Sequence, residues 1–288
     1  MSLSVSMIDR CRLQDLHAIL ARKKLNLILD LDNTLLNSKK TRNLTLDDKQ
    51  HVINNPRELY KVEDGSRLVK LRPGAREFLK KAREMFELSI YTMGTRDYAH
   101  RMANLLALGS GLHYWSMFGK IISKEDCTTM GKKGLDVVLS DKRVVLIVDD
   151  REDVWEGSCK SNLVKIEPFW FFREGKVEKK VNDDSALGHD EMDGGLQRVL
   201  RILTSVHSMF YDDNCGDRDY MKRDVRRVLE IVGDDENEKT KEDGEKVVLG
   251  KRLRETNARR FIERFCAPLN NKKFKKTTST ATNSPCLV

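Results

Sequence analysis

The segment LILDLDNTLLNS, residues 27–38, decides the fold of this chain. A run of mostly apolar residues over 25–29 is typical of a buried strand, and two aspartates, Asp30 and Asp32, follow it directly. Taken alone, aspartates after a strand more often form an ordinary turn than a catalytic pair. The rest of the sequence has to distinguish these two interpretations.

Strands and amphipathic helices alternate along most of the chain. Strands are predicted over 25–29, 88–92, 118–123, 143–148 and 163–166, and helices over 8–22, 96–108, 133–139 and 193–210, with another that opens at Pro73. This alternation predicts an α/β fold, a doubly wound parallel sheet of the Rossmann-like type with both faces covered. A polar insertion over 37–71 is expected to close in a small hairpin at Asp64-Gly65.

The chain divides into segments of different composition. We expect an N-terminal helix over 1–22, a catalytic domain over 23–212, a helical extension over 213–233 and a disordered acidic linker over 234–246. The last segment, 247–288, is expected to form a basic helix and a tail. Its clusters KRLRETNARR and KKFKK fit a nuclear targeting signal or a docking surface for phosphate groups, and a solvated helix face fits nearly as well.

Composition narrows the class of protein. The 288 residues carry a net charge of +8, which favours acidic partners such as nucleic acid, an anionic membrane surface or phosphorylated protein. No run approaches the roughly 20 apolar residues of a membrane span, and no secretory signal is recognisable. The six cysteines are scattered without a C-x-x-C pair, so neither a zinc site nor disulfides are expected. The aromatic run over 169–172 lacks interleaved basic residues, so nucleic-acid binding is not expected as the main role.

Polar residues follow three of the predicted strands. In an open parallel sheet, functional residues gather beyond the carboxyl ends of the strands, and these ends lie along one edge. Four carboxylates, a hydroxyl group and an ammonium group are therefore expected to meet there: Asp30, Asp32, Thr92, Lys133, Asp149 and Asp150.

This set of groups suits phosphoryl transfer through a covalent aspartyl-phosphate. Asp30 is the candidate nucleophile, and Mg²⁺, with Asp30 and Asp150 as side-chain ligands, removes the repulsion between that carboxylate and the phosphate. Asp32 can protonate the leaving oxygen and later activate water, which requires its pKa to be raised by burial and neighbouring carboxylates. The Thr92 hydroxyl and the Lys133 ammonium are expected to hold the phosphoryl oxygens.

The sequence around these residues resembles a known family. D-L-D-N-T, residues 30–34, resembles the D-x-D-x-T signature of haloacid-dehalogenase-type phosphatases. The segments KLRPGAREFLKKAREMFELSIYTMGTRDYAHRMANLL and VDDREDVW resemble RNA polymerase II C-terminal-domain phosphatases whose catalytic domain precedes a BRCT domain. The resemblance covers about residues 25–210.

The resemblance implies an activity and a set of roles. The activity is Mg²⁺-dependent hydrolysis of phosphoserine in the heptapeptide repeats of RNA polymerase II, in the nucleus, by a phosphoprotein phosphatase. By this resemblance Asp30 is the nucleophile, and Asp32 is the general acid and base that also supplies a backbone carbonyl to the metal. Thr92 and Lys133 bind the phosphate. Asp149 and Asp150 form the acidic end of the metal site. Tyr98 and Lys124 could contact the substrate peptide, and surface packing fits them equally well.

The chain also departs from the family pattern. Lys132 stands beside Lys133, so the sequence leaves open which of these two lysines binds the phosphate. The segment after the acidic linker is too short for a BRCT domain, which puts recruitment through that module in doubt. A non-catalytic binder of phosphoproteins, or a phosphatase acting on another phosphoprotein or a small phosphate ester, therefore remains an alternative. The small insertion favours a protein-borne phosphate over a small metabolite, and the oligomeric state stays open.

Overall fold

The computed structural model describes residues 5–62, 65–172, 192–213 and 219–242. Within these ranges the chain forms eight strands and seven α-helices. The strands are β1 Leu25–Leu29, β2 Leu36–Lys40, β3 Leu59–Val62, β4 Arg67–Leu71, β5 Phe86–Tyr91, β6 Phe118–Ile122, β7 Val145–Asp149 and β8 Leu163–Lys165. The helices are α1 Val5–Ala21, α2 Leu46–Asn54, α3 Ala75–Met85, α4 Arg96–Ala107, α5 Tyr114–Met117, α6 Gly194–Phe210 and α7 Val225–Glu242.

Five parallel strands form the central sheet in the order β6-β5-β1-β7-β8. β1 lies in the middle, and all five of its residues are buried. Alternate side chains of β1 enter different hydrophobic clusters: Leu27 packs in the larger cluster, with residues of the helices, and Ile28 packs in the smaller one. The α/β fold with a mostly parallel sheet, predicted from the sequence, is confirmed.

One predicted helix is wrong. Residues 133–139 form an extended bridge followed by turns. The Lys133 amide donates to the carbonyl of Val154 at 2.8 Å, the Lys133 carbonyl accepts from the Glu156 amide at 3.0 Å, and Leu139 has a φ of 56°. The adjacent Gly134 and two β-branched valines at 137 and 138 are weak helix formers. Pairing with residues 154–156 therefore prevails over the helical spacing.

The insertion between β1 and α3 is larger than the predicted hairpin. β3 and β4 form that hairpin, whose turn residues 63 and 64 lie outside the described residues, and β2 pairs with β4 to complete a three-stranded antiparallel sheet. Helix α2 begins after Thr45, whose side chain accepts a hydrogen bond from the Asp48 amide in a capping box. The aromatic run over 169–172 contributes three buried phenylalanines that pack on Leu68 of this sheet.

Helices α6 and α7 complete the described chain. Asp193 caps α6 by accepting a hydrogen bond from the Leu196 amide at 2.8 Å. Helix α7 continues to Glu242, whereas the sequence predicts a disordered linker from residue 234. The helix extends into this segment because glutamate and lysine are good helix formers, and they continue the helix begun by the apolar residues. The basic segment 247–288 lies outside the described residues. None of the helices in the described ranges is long and apolar enough to cross a membrane.

Candidate active site

The carboxyl ends of β1, β5 and β7 bring the predicted site residues together. Asp30 follows β1 and its amide donates to the carbonyl of Val148 in β7 at 3.0 Å. Thr92 follows β5, and Asp149 ends β7. A cleft of about 430 Å³ opens at this edge. All the predicted site residues line it: Asp30, Asp32, Thr92, Tyr98, Lys124, Lys133, Asp149 and Asp150.

Lys133 lies buried between two carboxylates at the base of the cleft. Its Nζ donates to Asp30 Oδ1 at 2.6 Å and to Asp149 Oδ2 at 2.7 Å. Burial lowers the pKa of the ammonium, but the two neighbouring carboxylates outweigh burial, so the pKa is raised and Lys133 stays charged. Lys132 donates instead to the backbone carbonyl of Asp153 from an exposed position. The structure therefore places Lys133, and not Lys132, in the cluster.

Two further groups fix the Asp149 carboxylate. Oδ2 also accepts a hydrogen bond from the indole Nε1 of Trp155 at 2.9 Å, and Oδ1 accepts one from the Arg151 amide at 2.8 Å. The Trp155 indole is buried. Its spacing six residues after Asp149 gave no sign of the hydrogen bond, because a loop separates the two.

Asp30, Asp149 and Asp150 could together hold a metal ion. One carboxylate oxygen from each lies within 4.8 Å of the others. Burial, and then the charge of Asp149, raise the pKa of Asp150 to about 6. Burial also raises the pKa of Asp30, against the attraction of Lys133. Carboxylates that are this reluctant to ionise favour a cation, and an all-oxygen set suits a hard divalent ion such as Mg²⁺.

Thr34 connects the first strand end to Asp150. The Asp150 amide donates to Thr34 Oγ1 at 3.2 Å, and that hydroxyl lies 3.4 Å from Asp150 Oδ1. The turn between Asp32 and Thr34 passes through Asn33 with a φ of 64°, a left-handed conformation that asparagine tolerates. Behind it, the buried Arg72 donates to the Thr34 carbonyl at 3.1 Å. The D-L-D-N-T segment is thus held from both sides.

Asp32 lies outside the group that could hold the metal through side chains. Its Oδ1 accepts hydrogen bonds from the Tyr98 hydroxyl at 2.6 Å and from the Ser38 hydroxyl at 3.4 Å. Burial raises the pKa of Asp32, and the hydrogen bond from Tyr98 only partly opposes this effect. The raised pKa has the direction that the sequence analysis required of a general acid. Its predicted backbone contact to a metal stays a prediction.

The residues predicted to touch substrate have different surroundings. Tyr98 is buried and bonded to Asp32, so its hydroxyl is engaged within the protein. Lys124 is exposed on the cleft wall, and Thr92 is buried with its Oγ1 accepting from the Gly94 amide at 3.0 Å. Sequence reasoning missed Ser38 and Arg67, because they come from the insertion and no strand-end rule points to them. The substrate-binding roles of Thr92 and Lys124 stay predictions.

Comparison with known proteins identifies the family of the chain. The family described as NLI interacting factor-like phosphatase matches residues 25–213. An Arabidopsis thaliana protein named RNA polymerase II C-terminal domain phosphatase-like 4 is 37% identical over 81% of this chain and 54% of its own length. A phosphatase of the RNA polymerase II C-terminal domain from Caenorhabditis elegans is 28% identical over 88% of this chain and 38% of its own length. The chain thus spans about half of the first of these relatives and less of the second.

The fold also resembles solved structures. The structure of Fcp1, described as an essential RNA polymerase II CTD phosphatase, superposes with a TM-score of 0.57 at 22% identity over 76% of this chain and 73% of the other. A fission yeast Fcp1 variant bound to beryllium fluoride gives the same TM-score at 20% identity. These two likenesses support the fold, and the match over residues 25–213 shows the family. This chain belongs to the NLI interacting factor-like phosphatase family.

Proposed function

We propose that this chain is a Mg²⁺-dependent phosphoprotein phosphatase that works through an aspartyl-phosphate on Asp30. The observation that carries the proposal is the separation of two kinds of carboxylate in one cleft. Asp30 lies with Lys133 and the other acidic residues of the metal cluster, whereas Asp32 is held apart by hydroxyl groups. Such a division suits a nucleophile and an acid that act on opposite ends of one bond.

The metal would be held by the carboxylates of Asp30 and Asp150, with Asp149 beside them and the backbone carbonyl of Asp32 as a further ligand. When bound, Mg²⁺ supplies positive charge that offsets the repulsion between the Asp30 carboxylate and the incoming phosphate dianion. Lys133 supplies a second positive charge from within the protein, and it also orients the Asp30 carboxylate through Oδ1. Thr92 would donate to a phosphoryl oxygen.

The reaction has two steps, formation and hydrolysis of the aspartyl-phosphate. In the first, a carboxylate oxygen of Asp30 attacks phosphorus, the bond between phosphorus and the serine oxygen breaks, and that oxygen takes the proton of Asp32. In the second, a water molecule gives a proton to Asp32 and attacks phosphorus, and the bond between phosphorus and the Asp30 oxygen breaks. Inorganic phosphate leaves, and both aspartates return to their starting states.

The substrate we propose is the phosphorylated C-terminal repeat of RNA polymerase II, and the place of action is the nucleus. The relatives described above are named for the RNA polymerase II C-terminal domain, which supports this substrate. Three basic side chains outside the ion cluster, Arg67, Lys124 and Arg151, also line the cleft and fit the negative charge of a phosphopeptide. The basic clusters of residues 247–288 fit nuclear targeting.

A substrate panel tests the proposal. The purified chain with Mg²⁺ would be given 4-nitrophenyl phosphate, heptapeptide repeats phosphorylated at the second or the fifth residue, and sugar phosphates, with Asp30→Asn as the control. We expect turnover of the phosphopeptides that disappears in Asp30→Asn and on chelation of the metal. Phosphopeptide binding without turnover would favour a non-catalytic binder, and preference for sugar phosphates would contradict the polymerase substrate.

A further inference from the structure

The carboxyl group of Asp32 is held by one of its two oxygens. Oδ1 accepts the Tyr98 hydroxyl at 2.6 Å, the shortest of its contacts, and lies 3.4 Å from the Ser38 hydroxyl. Among the described residues, no side chain forms a hydrogen bond to Oδ2. Because the tyrosine hydrogen bond engages Oδ1, Oδ2 is the oxygen left to carry the proton that is transferred.

Tyr98 is itself rigidly placed. It lies in the first turn of α4, where its amide donates to the capping hydroxyl of Thr95 at 3.3 Å. Its ring packs on Gly94, where an added Cβ would lie 2.4 Å from Cδ1 of the ring. The loop that places Thr92 at the end of β5 therefore places the tyrosine hydroxyl as well.

The insertion supports the tyrosine from its other side. Ser38 of β2 lies with its hydroxyl 3.0 Å from the Tyr98 hydroxyl, and Arg67 of β4 donates to Ser38 Oγ at 3.1 Å. The Arg67 guanidinium also lies over the Tyr98 ring, 5.1 Å from its centroid. Two elements from separate parts of the chain, α4 and the insertion sheet, thus converge on one carboxyl oxygen.

We propose that Tyr98, supported by Ser38, is a positioning residue that aims the Asp32 carboxyl at the leaving oxygen of the substrate. This inference rests on the proposed function, because it assigns how the acid of that reaction is oriented. It differs from the sequence-based expectation that Tyr98 touches the substrate peptide. Because Tyr98 would act on protonation of the leaving group, the loss of rate on removing its hydroxyl must depend on how much the leaving group needs a proton.

Leaving-group dependence therefore tests the inference. Tyr98→Phe keeps the ring that packs on Gly94 and removes only the hydroxyl. In a two-step reaction, kcat/KM reports the steps up to departure of the first product, which is the step that Asp32 assists as an acid. The serine alkoxide needs a proton, whereas nitrophenolate departs without one. We expect kcat/KM for a phosphoserine peptide to fall by about 10- to 100-fold, and that for 4-nitrophenyl phosphate to change by less than about threefold.

Matched variants separate this role from a structural one. Asp32→Asn should show the same selectivity with a larger loss. Ser38→Ala should show the same selectivity with a smaller loss of kcat/KM. If Tyr98→Phe lowers the melting temperature, Ser38→Ala is the variant that decides the test. Equal losses on both substrates, or a loss confined to KM, would overturn the inference.

The failure of the inference and that of the proposed function are distinguishable. If Tyr98→Phe matches the wild type while Asp32→Asn is slow, the inference alone is wrong. If the wild type hydrolyses neither substrate, the proposed function is wrong and the inference falls with it.

Discussion

Replacing the buried Lys133 by methionine tests the electrostatics of the cluster. The side chain keeps most of its length but loses two charged hydrogen bonds, at 2.6 Å to Asp30 and 2.7 Å to Asp149. Removing one partner of a buried ion pair costs about 3–5 kcal/mol, because an uncompensated charge remains. For a domain of this size, about 2–4 °C per kcal/mol converts that cost to a drop of about 6–20 °C in melting temperature.

The sign of the pH dependence follows from the same geometry. Without the ammonium, the already raised pKa of Asp30 rises further, so the variant is destabilised most where its carboxylates must ionise. The gap in unfolding free energy between wild type and Lys133→Met should therefore change little between about pH 5 and pH 7, and widen as the pH rises through about 8, where Asp30 ionises in the wild type before it does in the variant. Added Mg²⁺ should also narrow the gap, because it neutralises the same carboxylates.

Calorimetry or urea unfolding measures this gap, and the chain offers a matched control. Lys132→Met removes the neighbouring lysine, whose Nζ donates to the Asp153 carbonyl from an exposed position, so it should shift the melting temperature by less than about 2 °C. Phosphatase activity of Lys133→Met should fall by about 10²- to 10³-fold. If both variants melt alike at every pH, the buried ion cluster is not as described.

Two other perturbations probe the metal and the wall of the cleft. Mg²⁺ affinity should rise between about pH 6 and pH 8, because Asp30 and Asp150, with raised pKa values, must release protons when the ion binds. Calorimetric titration in buffers of different ionisation enthalpy counts the released protons. An affinity that does not change with pH would contradict the assigned ligands. Gly94→Ala should cost about 1–3 kcal/mol in urea unfolding and lower phosphoserine turnover more than nitrophenyl phosphate turnover, since its Cβ would displace the Tyr98 ring. Unchanged stability and selectivity would show that the ring tolerates the shift.

The sequence predicted the part of the site that follows directly from strand order. Because parallel strands end at one edge, the apolar runs before Asp30, Thr92 and Asp149 were enough to bring these residues together. The five strands of the central sheet can be predicted from the length and periodicity of their apolar runs alone. The resemblance to a known phosphatase family supplied roles that the residues alone could not.

Most of the errors and omissions involve contacts between segments distant in sequence. The bridge between Lys133 and Trp155 replaced a predicted helix, because the backbone pairing of the two segments is not visible in helical spacing. Ser38 and Arg67 were missed because their position depends on how the insertion sheet docks beside α4. Tyr98 is a sequence-based candidate for substrate contact, but its partner Asp32 is 66 positions away, and only the fold shows the hydrogen bond.

The central claim is that Asp30 becomes phosphorylated during turnover. Rapid acid quenching of the wild-type enzyme with a phosphoserine peptide, followed by borohydride reduction, converts an aspartyl-phosphate to homoserine, which mass spectrometry of the peptide spanning residues 25–39 can locate. We predict homoserine at position 30, in an amount that depends on Mg²⁺ and disappears in Asp30→Asn. Homoserine at another position, or sustained turnover by Asp30→Asn, would contradict the account.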